Sequence, residues 1–151
     1  MTTTPITDPA TAHPRRNRVL TTTVIDLLDA LRAHLSNCDL PAPCAVNVTT
    51  FSGGPSVSVQ IACRASRETA AGLLAWADTL TGITAEAWRV PTGDSVHLSV
   101  TGHLPDRVSL RIYGAVPYIQ HGLGADLAPN AAATIPLAAL RHLATDTEVT
   151  H

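Results

Sequence analysis

Three cysteines and one histidine are the residues whose types and spacing come nearest to a metal site. Cys38, Cys44 and Cys63, with His34 four residues before Cys38, make up the Cys3His set that tetrahedral zinc accepts. His34 and Cys38 share a face if their segment is helical, because residues four apart lie one above the other. Gly53-Gly54 suits a two-residue hairpin turn, which demands positive φ angles. That turn pairs Val46 with Ile61, Val48 with Val59 and Cys44 with Cys63, bringing two thiols to the open end of the hairpin. Reduced core thiols, a structural zinc and a cross-strand disulfide are all compatible with the set. No CxxC knuckle accompanies it, and four filled ligand positions leave none for catalysis, so a zinc here would be structural.

A second group comes from a second hairpin. A turn at Thr92-Gly93 pairs Val96 with Arg89, Leu98 with Ala87 and Val100 with Ala85, which puts the large apolar residues on one face. Extended to a third strand, the other face carries Trp88, His97 and Arg111 in one row and Glu86, Ser99 and Ser109 in the next. Thr84, Thr101 and Arg107 fill a third row, with Tyr113 at the edge. A tryptophan beside two arginines on a sheet is what a stacking platform for bases, or an anchor for a peptide, requires. A second subunit or the C-terminal segment would serve equally as its cover. Glu86 and His97, diagonal neighbours, could share a proton, yet no nucleophile or oxyanion loop adjoins them. The chain has no GxSxG elbow, phosphate loop or dinucleotide fingerprint. His13, His103, His121, His142 and His151 fall in loops or at ends, and Trp76 reads as a residue at the rim of the core.

The elements that must position these groups occur twice. Leu27-Leu28-Asp29-Ala30 leads to a hairpin around Gly53-Gly54, and Leu73-Leu74-Ala75-Trp76 to one around Thr92-Gly93, giving a repeated αββ unit. Thr22 or Thr23 is the expected N-cap of the first helix, with Asp26 in its first turn and Val24, Leu28, Leu31 and Leu35 as its stripe. Ser66 is the expected cap of the second helix and Gly82 its C-cap, with Ala70, Leu74, Ala77 and Leu80 facing the core. A further strand runs from Arg107 to Tyr113. The predicted fold is α+β: a five-stranded, mainly antiparallel sheet with two helices on one face, plus a short C-terminal helix at about 136–144. Residues 1–20 read as a flexible Thr/Pro-rich tail, 21–113 as a single αββαβββ domain and 114–151 as an irregular C-terminal segment.

The 151 residues suffice for one real core. All ten basic residues are arginine and the net charge is −2, so no global pull toward nucleic acid or anionic membrane is expected. The cluster Arg15-Arg16-Asn17-Arg18 reads as a solvated lead-in to the first helix. Neither a secretory signal nor a window apolar enough to span a bilayer is present, which makes a cytoplasmic address the expectation.

The runs Leu74–Gly82 and Asp94–Gly102, with the ending Ile135-Pro136-Leu137-Ala138-Ala139-Leu140, resemble small hypothetical proteins of Streptomyces and related actinobacteria, over about residues 20–145. The resemblance implies an actinobacterial source and supports the αββ unit. It carries no catalytic or binding residue with it. The functional expectation is a non-enzymatic binding or assembly module that meets a second copy or a protein partner through the outer sheet face, using Trp88, His97, Arg107, Arg111, Tyr113 and Glu86. A nucleic-acid-associated regulator using Arg107, Arg111 and Trp88 is the alternative, and a small enzyme using Glu86 and His97 the weaker one. No cofactor is expected unless His34, Cys38, Cys44 and Cys63 hold zinc.

Overall fold

A computed structural model describes residues 15–50, 55–105 and 108–146. Helix α1 (Arg15–Asn37) is longer than expected. Thr23 and Asp26 thus lie inside the helix rather than at its start. From Arg15 to Asn37 there is neither glycine nor proline, so nothing stops the helix short of Pro14. Among its described side chains, Leu27 and Leu31 are buried, while Leu28 points outward.

Strands β1 (Pro43–Thr49) and β2 (Ser56–Ile61) form the first hairpin. Its register differs from the expected one by two residues: Val46 opposes Val59 and Val48 opposes Val57. A slip of two keeps every side chain on its own face, so the hydrophobic pattern cannot tell the two registers apart. Gly53 and Gly54, on which the expected turn rests, lie outside the described residues.

Helix α2 (Ser66–Ala77) follows, with Ala65 rather than Ser66 at the N-cap position and no side chain capping it. Instead the Glu68 carboxylate accepts the Arg64 backbone N–H at 3.1 Å, satisfying a donor just ahead of the first turn. The core face of α2 is Thr69, Ala70, Leu73, Trp76 and Ala77, so Trp76 sits at the centre of the core with no exposed surface. Leu74 is only partly buried. The helix ends before Gly82, which instead takes a positive φ of 63° in the next strand.

That strand is β3 (Thr81–Arg89), followed by β4 (Ser95–His103) and β5 (Ser109–Pro117). Beyond them the C-terminal segment supplies β6 (Ala132–Ile135), which was not expected, and helix α3 (Leu137–Thr145), where a short helix was expected at about 136–144. The sheet therefore has six strands, in the order β1-β2-β5-β4-β3-β6. All pairs are antiparallel except β2 and β5.

Inward-facing Val57, Val59, Ile61, Ala85, Ala87, Val96, Leu98, Val100, Leu110, Ile112 and Val116 join Leu27 and Leu31 of α1, Leu73 and Trp76 of α2 and Leu140 of α3 in one cluster. All three helices thus lie on the same side of the sheet. Gly114 lets α2 come close, since a Cβ there would fall 2.6 Å from the Thr69 methyl. Residues alternate along each strand, so the other side of the sheet presents the second set of side chains to solvent.

Candidate functional site

The open face is organised by the β3–β4 hairpin. Gly93 takes the positive φ, 78°, that its tight turn requires. The Asp94 carboxylate accepts the Thr92 hydroxyl at 2.6 Å and, at 3.4 Å, that of Ser95. These hydrogen bonds, that from Thr92 first, hold the Asp94 carboxyl below its ordinary pKa. The turn sets the expected register: Trp88 opposes His97, Glu86 opposes Ser99 and Thr84 opposes Thr101.

The third strand joins four residues out of the expected register. Ala115 opposes His97, Tyr113 opposes Ser99 and Arg111 opposes Thr101. Arg111 is therefore not in the row of Trp88 and His97, and Ser109 is not in that of Glu86. Tyr113 stands mid-sheet, between Ser99 of β4 and Gln60 of β2, rather than at an edge. The loop from His103 to Ser109 sets this offset, and an even slip again preserves the face. Arg107 lies outside the described residues.

At the centre of this face three rings meet. The His97 ring lies 5.2 Å from Trp88 at 89° and 6.1 Å from Tyr113 at 17°, so it stands edge-to-face with the indole and stacks on the phenol. The Tyr113 hydroxyl donates to the Gln60 side-chain carbonyl at 3.3 Å. Partial burial, and next the charge of Arg111, pull the His97 pKa below the ordinary imidazole value of 6.5, so the stacked ring is neutral near pH 7.

Beside the rings, an Arg111 nitrogen lies 3.8 Å from a Glu86 carboxylate oxygen and 3.4 Å from the Ser99 hydroxyl. The two charged side chains are about half exposed, so their attraction adds little stability. Together with Thr84, Thr101 and Thr134 they line a shallow pocket of about 240 Å³. Thr134 and Gln60 are absent from the expected site because the sequence gives no sign that β6 flanks β3 or that β2 flanks β5.

No protein-family model matches the chain, and no curated protein or solved structure matches it either. The site stands on its own chemistry. A face with a neutral aromatic trio, one cation, one anion and a surround of hydroxyls can stack on a planar group while hydrogen-bonding polar atoms beside it. Glu86 lies beside Arg111, and His97 packs between the Trp88 and Tyr113 rings.

The proposed zinc ligands do not converge. The register is irregular between Pro43 and Ala45, which displaces Cys44, and Cys63 lies past the end of β2, so the two thiols are not an opposed pair. All three cysteines are free, and among the described residues no three His, Cys, Asp or Glu side chains gather closely enough to hold a metal ion. His34 serves the core instead. The Thr79 hydroxyl donates to the Trp76 carbonyl at 2.8 Å, so the His34 Nε2–H must donate to Thr79 Oγ1, also at 2.8 Å. Burial holds the His34 pKa below 6.5, in keeping with a neutral ring lying 5.9 Å from Trp76.

Among the described residues, the C-terminal segment leaves the open face uncovered. Leu123 and Leu127 pack against the core, and the Arg89 guanidinium, 3.6 Å over the Tyr118 ring, donates to the carbonyls of Gly93 and Leu127. These contacts close the end of the core beside the β3–β4 turn. No described helix is long and apolar enough to cross a membrane.

Proposed function

We propose that the chain is a non-enzymatic binding module whose open sheet face takes a segment of a partner protein. The observation that carries this reading is the Trp88–His97–Tyr113 cluster beside the Glu86–Arg111 pair, on a face that no described element covers. Partly exposed aromatic anchors ringed by polar groups are the composition of interface hot spots. A partner segment is favoured over a second copy on this face because the exposed large apolar side chains of the helices and strands, Ile25, Leu28 and Val46, belong to α1 and to the helix-covered side of β1.

The nucleic-acid reading draws less support. Arg111 is the one described arginine on this face, and Glu86 offsets its charge, whereas nucleic-acid affinity grows with the number of phosphates neutralised.

The test is a random-peptide display library selected on the wild type, with a labelled single-stranded oligonucleotide as the opposing probe. Selected peptides are expected to lose at least about tenfold in affinity on Trp88→Ala, the scale of a hot-spot truncation. Arg111→Ala should weaken them less. Peptides that bind Trp88→Ala as well as the wild type, or an oligonucleotide bound in preference to any peptide, would overturn the reading.

A further inference from the structure

Strand β1 is an outer strand, bonded to β2 on one side and to nothing described on the other. Its sequence, PCAVNVT, contains no charge. Proteins guard such edges with lysine, proline, bulges or short length, because an open row of N–H and C=O groups is a template for another chain. Here Pro43 and the irregularity after it guard only the start of the strand, while Ala45 to Thr49 run in straight register with β2. The opposite edge is treated differently: β6 is four residues long and ends against Pro136.

Val46 of this strand is also 39% exposed although it belongs to the helix-covered face, where it opposes buried Val59.

We infer that β1 pairs antiparallel with β1 of a second copy of this chain, joining two six-stranded sheets into one of twelve. The occupant follows from the strand's own pattern. A two-fold pairing must match the strand to its own reverse, and Ala45-Val46-Asn47-Val48-Thr49 is symmetric about Asn47 in its alternation. Val46 then meets Val48 of the second copy on the helix side, the two Asn47 residues face each other on the open side, and the exposed valine is covered. The contact leaves the Trp88 cluster free, so this inference and the proposed partner site stand or fall separately.

Sedimentation equilibrium of the full chain at about 100 µM, far above the Kd of a specific interface of standard size, tests it. The wild type is expected to be a dimer, Val46→Lys a monomer with unchanged circular dichroism, and Trp88→Ala a dimer. A monomeric wild type, a dimeric Val46→Lys, or a dimer abolished by Trp88→Ala overturns it. Should Val46→Lys misfold, Asn47→Cys in a chain lacking Cys38, Cys44 and Cys63 decides the matter. Facing residues in an antiparallel pair lie about 4.5–5.5 Å apart at Cα, within disulfide reach, so mild oxidation should link two chains. Absence of that link overturns the pairing.

Discussion

The two αββ units share a plan and differ in what surrounds them. The second hairpin, β3–β4, is flanked on both sides, by β6 and by β5, and its inward residues are almost all buried. The first, β1–β2, has one neighbour, and Val46 remains exposed on what should be its inner face. A repeated local pattern thus does not ensure a repeated role. Position in the sheet leaves one unit to carry an ordered ring cluster and the other to present an unguarded edge.

The largest test of this contrast lies beneath the sheet. Trp76→Ala should cost about 3–5 kcal/mol, the range for a buried aromatic, because the indole has no exposed surface. Leu31→Ala, its counterpart on α1, should fall toward the low end of the roughly 2–5 kcal/mol seen for buried leucine. Urea unfolding monitored by circular dichroism compares them, and equal costs would mean that the first unit is as tightly integrated as the second. Trp76→Phe should cost much less than the alanine variant. It keeps most of the ring and removes an indole N–H that is buried without a hydrogen-bond partner.

Next comes the close approach of α2. Gly114→Ala should destabilise by about 1–3 kcal/mol, since the added methyl would sit 2.6 Å from Thr69 and α2 would have to shift. Gly93→Ala should cost about 1–2 kcal/mol, because its φ of 78° is unfavourable to any residue with a Cβ. A thermal melt reads both. A tolerated Gly93→Ala would mean that the turn does not set the β3–β4 register.

The smallest effect is that of pH. His34 and His97 both have folded-state pKa values below 6.5, so on acidification the unfolded chain takes up these protons first. Their contribution is complete above pH 6.5 and is lost as pH falls from there toward the folded values. The Tm should therefore drop on acidification. His34→Gln and His97→Gln should each flatten the drop, and a slope unchanged in both variants would contradict the burial assigned to these rings.

How much of this was legible in the sequence depends on range. Face assignments survive in the strands: Val46, Val48, Val57 and Val59 share a side despite the two-residue register error, and so do Glu86, Ser99, Tyr113 and Arg111 despite the four-residue one. Register was readable only for β3–β4, where Thr92, Gly93 and Asp94 specify the turn locally. Leu27 rather than Leu28 faces the core because the roll of α1 is fixed by His34 meeting Trp76 and Thr79, a contact 45 residues distant in sequence for Thr79. The parallel β2–β5 pairing and the recruitment of β6 by β3 are likewise non-local, and with them went Gln60 and Thr134. The expected Cys44–Cys63 pairing was lost because it relied on a register that the hydrophobic pattern alone does not determine.

Hydroxyl-radical footprinting of the wild type bears most directly on this division of roles, because it reports the exposure of individual side chains. It would be carried out dilute, concentrated, and with a selected peptide bound. The predicted result is that concentration protects Val46 while the peptide protects Trp88 and Tyr113. Protection of Trp88 and Tyr113 by concentration alone, with the β1 edge unchanged, would contradict it.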